Sequence, residues 1–479
     1  MTRAADTANI LKQPFTNTLG TSNYRAGVNA GNTITSGGNF NTVVGDESGT
    51  AITEGDDNVA VGYKALITDT KGSRSVAIGH SALRVQNFTS ATISNNTAVG
   101  FFAGEDLTTA VRNTLIGSQA GEKVTTGNGN TAVGFDSLSS NTTGAQNVAI
   151  GGFCLQANVS GNQNTAVGLQ AMYSNTTGYN NVAVGHASLY NNTEAIQNTG
   201  CGYYSLVATT TGSANTGIGF GALGSNTTGV SNTAVGDASL TTATTAANNT
   251  ALGRDSLKVT TTGANNTAVG YAAGLANTEG VGNVSLGHSA GRIVTTGDYN
   301  VAVGFDAAST NATGDYNISI GNNNDHSGTG ITHEIIIGAN NATGKGSSTA
   351  FIAPGTGAVF AGNNNANFST TSDRRIKKNI VDNSVGLDAI SNIQVRNFEY
   401  RTPDEIEGLA SSCAVEKEGV QVGVIAQEIQ QVLPNCVKQE STGAYTVQHE
   451  PMLWALVNAI QELSAKNNAL EARLATLEG

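Results

Sequence analysis

Residues 131–151 read TAVGFDSLSSNTTGAQNVAIG. The stretch begins with Thr131-Ala132-Val133-Gly134 and ends with Val148-Ala149-Ile150-Gly151, the same β-branched, small, apolar, glycine pattern seventeen residues later. Followed in both directions, the motif glycine recurs at 45, 62, 79, 100, 117, 134, 151, 168, 185, 202, 219, 236, 253, 270, 287, 304, 321 and 338. Every step is 17 residues except the 21 from Gly79 to Gly100, which reads as a four-residue loop insertion within RVQNFTSATIS. Across these 18 copies the residue before the glycine is always apolar, and the residue three before is always Thr, Val or Ile. Four before the glycine stands Asn in 16 copies, Ser75 and Glu334 being the exceptions.

A fixed period of this kind is the signature of a solenoid, in which each repeat is one coil stacked on the last. β-Branched residues alternating with Ala favour a short strand with one bulky and one small face, and Asn and Gly bracket it as turn formers. Ala or Ser three residues past the glycine, often followed by Leu, as in Ser137-Leu138, reads as a second short strand. A further Gly seven before the motif glycine, in 13 copies, marks another corner. The expected coil therefore has two strands and two corners, with asparagines stacked in a ladder. Eighteen coils at strand spacing rise about 85 Å. The apolar residue before each glycine is expected to fill a thin core, which is marginal alone. The Ala and Gly stripe is expected to let neighbouring chains approach, which argues for an oligomer held along its length.

Composition supports this and narrows the function classes. The chain has 60 Gly, 5 Pro, 12% charged and 5% aromatic residues, and a net charge of −12, which argues against nucleic-acid binding. Cys154, Cys201, Cys413 and Cys436 are scattered and offer neither a disulfide framework nor paired zinc-ligand spacing. His326 and His333 lie in a Gly/Asn loop with only Asp325 and Glu334 beside them, so no metal and no cofactor is expected. The opening MTRAADTANILKQPFTNTLG lacks an apolar core of signal-peptide length, and no stretch approaches the ~20 apolar residues of a membrane span. The expectation is synthesis in a cytoplasm, without membrane insertion, in which case N-x-T sequons such as those at Asn141 and Asn175 have no glycosylation role.

The motif Ser75-Val76-Ala77-Ile78-Gly79 resembles the head repeats of the trimeric YadA-like adhesins. The likeness covers about residues 41–338 and implies a left-handed parallel β-roll in a trimer. That family's period is shorter, so each coil here carries a longer corner loop.

After Gly338 the register fades, and apolar runs at Phe351-Ile352 and Val359-Phe360 suggest a β connector. At Ser372 charged residues become common: SDRRIKKNI, then GLDAISNIQVRNFEYR, GVIAQEIQQVLPNCV and YTVQHEPMLWALVNAIQEL. Leu387, Ile390 and Ile393 share one helical face, and QEIQQVL reads as a short helix stopped by Pro434. Leu453, Leu456, Ile460, Leu463, Asn467, Leu470, Leu474 and Leu477 step alternately by three and four, a coiled-coil seam with one polar position. The alternative is an amphipathic helix packed on its own domain.

In their order these segments resemble the C-terminal intramolecular chaperone of phage endosialidases, tail spikes and fibres, over about residues 372–479. The resemblance implies trimerisation followed by autoproteolysis at the domain's N-terminal edge, between Thr371 and Ser372. Its Ser–Lys pair falls on Ser372 as nucleophile and Lys377 as base, with Asp373 orienting the turn. A serine hydroxyl needs an adjacent base, and a lysine serves once burial or neighbouring cations depress its pKa; Arg374, Arg375 and Lys378 supply cations.

The resulting expectation is a mainly β chain. Residues 1–38 form an attachment segment, 39–338 a trimeric β-solenoid shaft and 339–371 the connector. Residues 372–479 form a small α+β chaperone ending in a trimeric coiled coil over 453–477. Its function is that of a homotrimeric virion fibre or spike, joined to the particle through its N-terminus and binding a host-surface receptor, glycans included. The only chemistry expected is single-turnover self-cleavage, which releases the chaperone. Two alternatives are a polysaccharide-depolymerising spike and a bacterial trimeric surface adhesin. The first needs a carboxylate pair, for which Asp136, Asp255 and Asp306, each two after a motif glycine, are the candidates.

Overall fold

The computed structural model describes residues 20–353, 359–361, 373–409, 415, 417–440 and 442–478. The chain divides into two compact units that meet between residues 370 and 371.

The first unit is the solenoid. Among the described residues, 21 strands form a single sheet. From Tyr24–Ala26 through Thr42–Val44 to Ile335–Asn340 and Ala350–Ala353 each strand pairs in parallel with its neighbour. Only the last, Val359–Ala361, is antiparallel. Most strands are three residues long and pair without slip, as where Val148, Ala149 and Ile150 face Thr165, Ala166 and Val167. Among the described residues the stack begins one coil before the first motif counted above. Tyr24-Arg25-Ala26 is followed by Gly27 at φ 135°, like the later motif glycines. The four inserted residues leave the stack undisturbed, since Val76 still faces Thr97. They sit beside a small extra pair, Gly72–Ser73 with Thr92–Ile93.

Apart from the two coils that share this extra pair, each described coil holds one strand, not the two expected. The Ser137-Leu138 segment is a tight turn in which Asp136 and Leu138 take left-handed φ of 57° and 55°. Its backbone still bonds to the next coil, Leu138 N–H to Cys154 C=O at 2.9 Å, so stacking is kept while β geometry is not. The motif glycine is required by close approach. A Cβ on Gly134, at φ 138°, would lie 2.5 Å from the carbonyl oxygen of Gly151.

The core is also the reverse of the sequence expectation. The strand alanines, such as Ala132, Ala149 and Ala166, are fully buried, whereas Ile150, just before its glycine, is 40% exposed. Across from the alanines sit Leu138, Leu155 and Met172, also fully buried. A coil of 17 residues is too narrow for two large side chains at one level, so Ala opposes Leu. Where the order is inverted, the compensation is visible. The strand carries Leu115, and the facing positions are Gly104 and Gly121, whose added Cβ atoms would stand 2.7 and 2.6 Å from the Leu115 methyls. The strand alanines of the expected stripe therefore do not face outward, and cannot be what neighbouring chains meet.

Buried asparagines finish the interior. Asn147 donates its backbone N–H to Asn130 Oδ1 at 3.0 Å and its side-chain amide to the Gly161 carbonyl at 2.8 Å, and the pattern repeats at Asn164 and Asn181. A second ladder runs through Asn141, Asn158, Asn175 and Asn192, with amide bonds of 2.6–2.8 Å. The sequons at Asn141 and Asn175 are thus core rungs with no exposure. At Ser75 the missing amide is replaced from the enlarged coil, where Gln86 Nε2 donates to Ser75 Oγ at 2.8 Å and Gln86 Oε1 accepts from Asn96 at 2.9 Å.

The second unit is small. It contains helices α1 (Leu387–Ser391), α2 (Ala426–Val432) and α3 (His449–Glu478). Two antiparallel pairs accompany them: Arg396–Phe398 with Gln421–Gly423, and Val437–Gln439 with Tyr445–Val447. Helix α2 stops at Leu433, before the Pro434–Cys436 turn. The buried cluster is Ile429, Leu433, Cys436 and Ala455, flanked by Ile390, Ile393 and Met452.

Candidate functional site

The candidate cleavage residues are the first two of the second unit. Thr371 and Ser372 lie outside the described residues. Directly after them, Asp373 caps a single 3-10 turn, Arg374–Ile376, accepting the Arg375 N–H at 2.8 Å and pairing with its guanidinium at 2.6 Å. Those bonds hold the Asp373 carboxyl below the usual carboxylate range. Lys377 closes the turn, its N–H bonding to the Arg374 carbonyl at 3.2 Å. The turn therefore fixes the backbone from Asp373 to Lys377. Lys377 is exposed in the single chain, as are Arg374, Arg375 and Lys378, so the chain's own packing does not supply the burial that a lysine base requires.

The heptad residues sit on α3, a 30-residue helix of roughly 45 Å. Ala455 and Ala459 face the small core and are buried. The leucine face does not pack on its own domain: Leu453, Leu456, Ile460, Leu463, Leu470, Leu474 and Leu477 are 43–82% exposed. Asn467 is exposed with them and donates to Glu471 at 3.0 Å. Near the start of this face an apolar groove of about 590 Å³ opens between Ile390, Ile393, Val395, Met452, Leu453 and Leu456. Helix α1 is fixed to α3 by Glu462, which accepts the Leu387 N–H at 3.0 Å.

Residues 372–438 match the family model described as the chaperone of endosialidase. The matched stretch starts at Ser372 and includes SDRRIKKNI, the strand before Tyr400, and GVIAQEIQQVLP; α3 lies beyond it. No curated protein and no solved structure matches the chain. The molecule is thus a long parallel β-solenoid followed by a small chaperone region of the endosialidase kind and a terminal helix.

The carboxylates considered for sugar hydrolysis are not brought together. Asp136 bonds to the Gln156 amide, Asp255 to Lys258 at 2.8 Å, and Asp306 pairs with Arg292 at 3.8 Å. Three coils separate even Asp255 from Asp306, about 14 Å at strand spacing, beyond the reach of a glycosidase pair. His326 is buried against Glu334, Nδ1 to Oε2 at 3.0 Å, while Asp325 is engaged by Ser309 at 2.6 Å. Among the described residues no three potential metal ligands converge.

Sequence reasoning missed one further set of residues, the column directly after the motif glycine. There Tyr63, His80 and Phe101 stack at 5.2 Å centroid spacing on the solenoid exterior, as do His186, Tyr203 and Phe220 at 5.0 and 5.5 Å. The signal was available as a run of aromatics at period 17.

Proposed function

We propose that this chain is a homotrimeric fibre or tail-spike protein of a virion, whose C-terminal unit directs trimerisation and then severs itself between Thr371 and Ser372. The observation that carries the reading is a chaperone match that begins at Ser372, beside the boundary between two compact units. In the proposed reaction, neutral Lys377 takes the Ser372 hydroxyl proton as Oγ bonds to the Thr371 carbonyl carbon. Collapse of the tetrahedral intermediate breaks the C–N bond, and the lysine ammonium returns its proton to the leaving Ser372 amine. Water then hydrolyses the resulting ester, freeing the Thr371 carboxylate and the Ser372 hydroxyl. Cleavage follows assembly, because packing against further copies is what would dry Lys377. The coiled coil of three α3 helices sets the register of the shafts, and release of the chaperone leaves the mature trimer held kinetically. The shaft is the host-surface-binding part, and the N-terminal segment joins the particle.

The test is intact-mass spectrometry with sedimentation of the full chain. Wild type should yield fragments 1–371 and 372–479, whereas Ser372→Ala and Lys377→Ala should stay whole and trimeric. Folded wild-type trimers that remain uncut would refute the protease assignment, and cleavage of Ser372→Ala at the same bond would place the nucleophile elsewhere.

A further inference from the structure

We infer that the outward face of the strand column, the residues one and three before each motif glycine, is the surface along which two further copies of this chain pack in the shaft. The inference rests on the trimer proposed above and names its contact face, which is not the Ala and Gly stripe.

Three observations carry it. First, the face is apolar without an internal reason. The core is already filled by the strand alanines and the facing leucines, yet the residue before the glycine is apolar in all 18 copies, and neither column holds a charged residue, Asn or Gln. Val184, Ile218 and Leu252 are 38–42% exposed. Two columns over this length form a strip on the order of 900 Å², from strand spacing and a width of about 10 Å. One column of it is apolar in every copy and the other is Val, Ile or Thr, and the strip equals one side of a standard interface. Second, the strip's backbone offers no grip, and its side-chain polar atoms are the threonine hydroxyls of one column. The strand N–H and C=O groups are used coil to coil, Thr216 N–H to Asn232 C=O at 2.8 Å and Gly219 N–H to Cys201 C=O at 2.8 Å. A glycan, which is recognised through its hydroxyls, would find no backbone donors or acceptors there. Third, the occupant must match a strip that repeats once per coil for the whole shaft. A parallel copy of this chain has that spacing and length, and α3 carries a second unpartnered apolar face along its own length. Three copies about one axis would turn their strand faces inward, with Tyr203 and its stacked neighbours at the rim.

The chain carries its own probe. Cys201 stands in the column between Val184 and Ile218 and is exposed in the single chain. The experiment is maleimide labelling of the full-length protein, read at Cys201 by peptide mass spectrometry, with sedimentation of the same sample. Thr143→Cys, on an exposed corner, serves as the reference. In the trimer Cys201 should label at least about tenfold more slowly than the thiol introduced by Thr143→Cys, since reaction requires access. Cys201→Lys should lower the trimer fraction and Thr143→Lys should not. A trimer in which Cys201 labels as fast as the reference, or in which both are equally shielded, overturns the assignment of the face. A monomer overturns the trimer itself, and the face with it.

Discussion

The two units use apolar side chains in opposite ways. The shaft buries its smallest ones, Ala149 and Ala166, and completes its interior with asparagine amides that bond from coil to coil. The C-terminal unit leaves large ones in water: the leucines of α3 are exposed, while among the described residues the buried cluster is Ile429, Leu433, Cys436 and Ala455. Shaft order is therefore local and repeated, each coil specified by its neighbours. The C-terminal unit covers little of its apolar surface by itself, and under the proposed function what remains is for assembly.

The largest effect expected from this contrast is loss of residues 372–479. A shaft expressed without them should be insoluble, measured as the pelleted fraction, because nothing then aligns the copies during folding. A soluble, trimeric truncated shaft would mean that the strand faces find their register unaided. Next in size is a register test. Deleting Thr89–Thr92, which restores 17 residues to the long coil, should leave the assembled trimer intact on sedimentation. Deleting four residues within 152–164 should abolish it, because the strands and both asparagine ladders lose alignment.

A smaller effect probes the narrow core. Ala166→Leu should destabilise by about 1–3 kcal/mol through overpacking, read as a lower thermal midpoint. Adding Leu155→Gly and Met172→Gly, the arrangement found around Leu115, should recover part of that loss. The same change at Val167, which is outward, should cost less in an isolated chain.

The smallest effect is at the shaft's far end. Burial alone would raise the Glu334 pKa, but bonds from His326, Gly346 and Ser327 together outweigh it and hold the carboxyl below its ordinary value of 4.5. Its stabilising contribution is therefore complete above about pH 4.5 and is lost as pH falls through the lower folded value. Hydrogen exchange at Ile335–Ile337 should quicken on acidification in the wild type, and Glu334→Gln should remove that pH dependence.

The period of 17 and the asparagine ladder were legible because identical residues at one spacing can only stack. The inside and outside of the strand were not. Alternation at Val148-Ala149-Ile150 separates two faces without saying which is inward, and the usual preference for burying the larger side chain fails in so narrow a coil. The clue lay in the exchange of Leu115 with Gly104 and Gly121, visible only once the coil is closed. The left-handed turn at Asp136 and Leu138 was hidden because neither residue announces positive φ. At the candidate site, the sequence suggested that Asp373 orients a turn, which it does as the cap of Arg374–Ile376, and that the heptad leucines share one helix, as they do in α3. The exposure of Lys377 in the single chain was not legible, because the charged run SDRRIKK does not say whether its lysines are covered.

The uninterrupted pairing from Val59 to Val301 also makes the shaft a ruler. Each coil meets its neighbours through the same rungs, so duplication or loss of 51 nucleotides adds or removes one turn and reseals the stack. Length then changes in steps of about 4.8 Å, with no new contact to invent.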